Sequence, residues 1–113
     1  MKPYRKEQLS SLIQKELGII IAKGIEFPVG SLATINEVEI SDDFKKAVIW
    51  VGVIPEEVSG RVLEILTRAR GYLQYHLGEK VRARIIPRIE FAIDRGAGYS
   101  ARIEKISLEK DKQ

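Results

Sequence analysis

The feature that most restricts the fold is the change of apolar period along the chain. Residues 5–22 place Leu9, Leu12, Ile13, Leu17, Ile20 and Ile21 at helical spacing, with Arg5, Lys6, Glu7, Gln14 and Lys15 around the rest of the wheel. After a break at Phe27-Pro28-Val29-Gly30 the pattern becomes strand-like. Leu32 to Ser41 is rich in β-branched residues and ends Val38-Glu39-Ile40. Beyond a turn at Ser41 to Lys45, Ala47, Ile49, Val51 and Val53 share one face of a second strand, whose other face holds Val48 and Trp50. Pro55, Glu56 and Glu57 suit a first helical turn, so a helix starts between Pro55 and Ser59. Residues 88–94 alternate again, with Ile89, Phe91 and Ile93 on one face. A third strand reached through a helical crossover must return over a covered side. The order therefore predicts a single α+β domain with a three-stranded sheet and helices on one face.

Within the crossover, at about 100° per residue, Val58, Val62, Ile65, Leu66 and Ala69 gather on one arc, apart from Arg61, Arg68 and Tyr75. A straight helix would aim His76 into that arc, and a bend at Gly71 relieves this. Gly78 is the expected stop, followed by the basic stretch Lys80 to Arg84 and then Pro87. The expected core includes Ala47, Val51, Ile65, Leu66, Ile89 and Phe91. Trp50 is expected to pack against the core or a terminal segment, and His76 to pack or to supply charge at a helix C-terminus. Past Gly96 and Gly98, Tyr99, Ile103 and Ile106 predict a short terminal helix. The domain is expected over residues 1–108, with a flexible tail at 109–113.

The residues present exclude several classes of chemistry. The 113 residues contain no cysteine and one histidine, which removes disulfides, thiolate metal sites and most catalytic dyads. No nucleophile with a partner base is evident, and Asp42 and Asp43 are adjacent and diverge, so neither an enzyme nor a metal or other cofactor is expected. Apolar runs such as Leu17 to Ala22 fall far short of the roughly 20 residues that cross a bilayer. A cytoplasmic protein with no membrane partner is expected.

Charge is unevenly distributed. The formal net charge is +3, but residues 61–102 hold nine Lys/Arg against four Asp/Glu, and eight of the nine are arginine. Arginine presents a planar fork that pairs with phosphate and stacks on bases, which points to a nucleic-acid partner. The candidate RNA-binding residues are Arg61, Arg68, Arg70, Lys80, Arg82, Arg84 and Arg88. Arg68 also stands four residues after Glu64, in reach of a helical ion pair. Lys45 and Lys46 sit beside Asp42 and Asp43 and are expected to be neutralised in the turn.

Helix, strand, strand, helix, kink, helix, strand is the order of a type II KH domain, a small RNA-binding fold. The GXXG loop of KH domains is missing, and the junction reads Ala69-Arg70-Gly71. This A-x-G kink resembles that of the bacterial ribosome-binding factor A family, as do Val38-Glu39-Ile40-Ser41-Asp42-Asp43-Phe44 with Ala47, and Arg84-Ile85-Ile86-Pro87 with Phe91 and Asp94. The resemblance runs from about Tyr4 to Leu108. It implies a non-enzymatic monomer that binds the small (30S) ribosomal subunit and its 16S rRNA, not DNA, and assists late subunit maturation and rRNA processing, with importance in the cold. Two positions depart from the family. Glu26-Phe27-Pro28-Val29 replaces its D-P-R turn, and Gln74 stands where many members have arginine. The alternatives are a stand-alone single-stranded RNA-binding module and a protein-interaction domain using the apolar face around Val48 and Trp50.

Overall fold

Each change of period marks an element in the computed structural model, which describes residues 4–96. Helix α1 is Lys6–Gly24, strands β1 and β2 are Leu32–Ile40 and Lys46–Ile54, α2 and α3 are Ser59–Arg68 and Arg70–Lys80, and β3 is Arg88–Ile93. A single 3-10 turn, Glu56–Val58, leads into α2. The terminal helix expected from Tyr99 and the tail at 109–113 lie outside the described residues.

The sheet order is β1-β2-β3, with β1 antiparallel and β3 parallel to β2. Parallel pairing of β2 and β3 requires a crossover, and α2 and α3 provide it. Val38, Ile40, Ala47, Ile49, Val51 and Ile89 form the inner face, all at most 4% exposed. Against them pack Leu9, Ile13 and Leu17 of α1, Val62 and Leu66 of α2, and Leu73 and Leu77 of α3. The spacing of those residues on each helix is what makes one continuous core possible. Two side chains of α1 also cover the open edge of the sheet. Ser10 Oγ donates to Val38 O at 2.7 Å and Gln14 Nε2 donates to Ile35 O at 2.9 Å.

The pairing shifts between Ile35 and Glu37, leaving Asn36 as a bulge. Asn36 Nδ2 reaches across β2 to Asp94 Oδ2 at 2.9 Å. Gly52 makes room for this bridge, since a β-carbon there would lie 2.7 Å from the Asn36 amide nitrogen.

Several expectations require correction. Ile65 is half-buried, because the arc of α2 that meets the sheet is centred on Ser59, Val62 and Leu66, at 3%, 0% and 1% exposure. Phe91 is also half-buried, as suits a residue on an edge strand, although it packs against the core. Gly78 does not stop α3. The helix continues to Lys80, and the buried Val81 closes it by donating its N–H to Leu77 O at 2.9 Å. Anchoring by Leu77 and Val81 outweighs the ~1 kcal/mol helix penalty of one glycine. Local neutralisation of the turn lysines is only partial, with Lys45 in electrostatic contact with Asp43. Asp42 pairs with Lys6 of α1, Lys46 lies 3.7 Å from Glu90, and Asp43 instead accepts from Ser41 Oγ and Lys45 N.

Trp50 points to the outer face by strand alternation, yet it is only 1% exposed. Burial also raises the neighbouring Glu39 carboxyl above the ordinary glutamate range, and the indole of Trp50 only partly offsets this.

Candidate nucleic-acid interface

Ala69 ends α2 and opens α3, with φ −87° and ψ 1°. Its N–H reaches Ile65 O at 3.1 Å and its carbonyl accepts from Leu73 N at 2.9 Å, so the chain bends without a loop. Alanine has no side-chain oxygen with which to cap the first amides of α3, and that end of the helix carries partial positive charge. The bend is therefore set by the bridging conformation of Ala69 rather than by Gly71. Gly71 lies in the first turn of α3, where a β-carbon would meet nothing within 4 Å, so close packing of the half-helices does not require a glycine there.

The bend turns Leu73 and Leu77 into the core and His76 outward. His76 Nδ1 lies 3.1 Å from Glu79 Oε1, and its ring centroid is 4.4 Å from that of Tyr72 and 5.2 Å from that of Tyr75.

The seven candidate cations fall into three places. Arg61 and Arg68 both reach Glu64, at 2.8 and 3.4 Å, and with the half-buried Arg70 they surround the bend. These exposed pairs contribute only ~0.3–0.5 kcal/mol each and leave the guanidinium groups open to phosphate. Lys80, Arg82 and Arg84 are exposed at the other end of α3 and in the loop after it. Among the described residues, Arg70, Lys80, Arg82 and Arg84 make no ion pair. Arg88 stands apart. Its neighbour Ile89 is inward and fully buried, so alternation sends Arg88 to the outer face of the sheet, opposite Lys46.

The arrangement offers exposed cations, suited to phosphate, at both ends of α3. Among the described residues there is no cluster of potential metal ligands and no helix long and apolar enough to cross a membrane.

A family model described as ribosome-binding factor A matches residues 5–107. The chain belongs to the ribosome-binding factor A family. It is similar to ribosome-binding factor A of Akkermansia muciniphila, at 36% identity over 93 residues covering 82% of this chain and 74% of that protein. In structure it resembles the crystal structure of ribosome-binding factor A from Thermus thermophilus, with a TM-score of 0.70 and 28% identity over 80% of this chain and 97% of that one. It also resembles a homology model of Thermus thermophilus ribosome-binding factor A fitted into a cryo-EM map of a 30S complex, with a TM-score of 0.62 and 30% identity over 85% of this chain and 98% of that one.

Against the family pattern, the two departures acquire structural roles. Gln74 is part of the packing: its Nε2 donates to Pro87 O and its Oε1 accepts from Ile89 N, both at 2.9 Å. The residue thus clamps α3 to the start of β3. Sequence reading missed this role, because nothing in the pattern pairs an amide with a strand 15 residues later. The replaced D-P-R turn closes with Ser31 N on Pro28 O at 3.1 Å and Gly30 at φ +84°, leaving Val29 exposed at the tip.

Proposed function

We propose that this protein is a non-enzymatic assembly factor of the cytoplasm, acting as a monomer without a cofactor. It binds the 30S subunit through 16S rRNA and assists late subunit maturation and rRNA processing, with importance in the cold. The observation that carries this reading is family membership over residues 5–107 together with likeness to a relative fitted into a 30S complex. The cation groups at the two ends of α3 supply a physical means of attachment, since phosphate contacts position a protein on nucleic acid without reading its sequence.

The test is co-sedimentation of the full chain with purified 30S subunits. Binding that weakens steeply with salt, and that becomes weaker and less salt-dependent when Arg68, Arg70 and Arg84 are replaced together, is expected. Crosslinking in cells chiefly to messages, with no 30S association, would instead favour a stand-alone single-stranded RNA-binding module.

A further inference from the structure

Among the described residues, the exposed aromatic side chains all lie on α3: Tyr72 is 49% exposed and Tyr75 66%, whereas Tyr4, Phe27, Phe44, Trp50 and Phe91 are half-buried or buried. Positions 72, 75 and 76 have i, i+3, i+4 spacing, so these two tyrosines and His76 share one face. The rings are held rather than loose. Tyr75 meets His76 edge-on at 82°, Tyr72 is tilted at 59° to it, and Glu79 Oε1 lies 3.1 Å from the imidazole Nδ1. Tyr72 also extends over the end of α1, where a β-carbon on Gly24 would come within 2.7 Å of its hydroxyl.

Cations bracket this aromatic face. Arg68 precedes it across the bend, Lys80 follows His76 by one helical turn, and Lys23 lies in the last turn of α1 beside Gly24. The nearby acids are already engaged, Glu64 by Arg61 and Arg68 and Glu79 by His76. Oriented rings between cations match the requirements of unpaired nucleotides, whose bases stack on aromatic faces while phosphates meet Lys and Arg. A duplex hides its base faces and gains nothing from such a surface.

We propose that Tyr72, Tyr75 and His76 form a stacking platform for unpaired bases of single-stranded RNA. This deepens the RNA-binding reading above and rests on it. Tyr75 and Tyr72 make the base contacts, and His76 is a positioning residue that sets the angle between them.

The experiment measures binding of the full chain, by fluorescence anisotropy, to a labelled single-stranded oligoadenylate, an abasic strand of equal length and an RNA duplex. Tyr75→Ala should reduce affinity for the oligoadenylate about 5- to 100-fold, leave the salt slope unchanged and barely alter binding to the abasic strand. Tyr75→Phe should retain binding, since the ring and not the hydroxyl does the stacking. Thermal melts identify any variant that fails to fold, and Tyr75, as the most exposed of the three, is the safest to truncate. If Tyr75→Ala and Tyr72→Ala bind as the parent does while arginine replacement still weakens binding, the platform is overturned and the electrostatic reading stands. If arginine replacement is also silent, both fall. Equal affinity of the parent for all three probes would likewise overturn the platform, and tyrosine-dependent binding to a protein partner with no RNA binding would do the same.

Discussion

The two broad sides of this domain carry opposite kinds of charge. The helical side presents Arg61, Arg68, Arg70 and Lys80, with Arg82 and Arg84 exposed in the loop after α3 and Glu64 and Glu79 each paired in place. The outer face of the sheet presents Glu37, Glu39, Glu90 and Asp94 against two cations, Arg88 and Lys46, the latter beside Glu90. A net charge of +3 conceals this division. It implies that phosphate is attracted to one side and repelled by the other, so the charges orient the approach of an RNA as well as strengthening it.

The largest effect expected comes from removing the basic side. If the domain neutralises about five phosphates, with a slope of ~0.7 per contact, raising salt from 50 to 200 mM should cost roughly a hundredfold in affinity. Replacing Arg68, Arg70 and Arg84 together with alanine should reduce that loss to about sevenfold while the melting curve stays intact. Glu37→Gln with Glu90→Gln should bind at least as tightly as the parent, and weaker binding by that pair in the same titration would break the contrast between the faces.

A smaller effect, on stability, is expected where the basic side is tied to the sheet. Gln74→Ala leaves Ile89 N–H and Pro87 O without their partner, and should cost ~1–3 kcal/mol in denaturant melts. Smaller still, Gly71→Ala should stabilise the chain by up to ~1 kcal/mol, since the position has open space and no positive φ. A destabilised variant would show that the bend does need its glycine.

The smallest expected effect belongs to the acidic side. Burial raises the folded-state pKa of Glu39, so its contribution is fully present at pH below the ordinary value of 4.5 and is lost as pH rises through the raised value. Glu39→Gln should therefore flatten the fall in stability over that range in pH-dependent melts. An unchanged pH profile would remove Glu39 as its source.

The order of elements was legible because the apolar period changes where the backbone does, and the inner sheet face could be read from alternation alone. What escaped were features set by partners distant in sequence. Composition grouped Arg88 with Arg82 and Arg84, but strand pairing places it on the outer face of the sheet, opposite Lys46. A wheel placed Ile65 on the buried arc, but the rotation of α2 against the sheet decides the margin, and Leu66 takes the central place. Local charge matched Asp42 to the turn lysines, while Lys6 from α1 arrives to take it. Of the candidate site, the arginines could be named from composition, but their separation into groups around α3 could not.

The Gln74 clamp also determines how the arginine loop is presented. Its amide stands in for a peptide unit at the start of β3, while Val81 N–H holds the opposite end of the segment to Leu77 O. The residues between, with Arg82 and Arg84, form an arch secured at both feet. Ordering a free segment costs about 1–2 kcal/mol per residue, and an arch already anchored has less of that to lose when it meets RNA. Because the other arginines flank the start of the same helix, the backbone positions of Arg70 and Lys80 keep a spacing of about 15 Å. On the proposed RNA-binding reading, the helix is a gauge: a ligand engages both ends when its phosphates recur at a matching interval, a selection by shape that needs no base to be read.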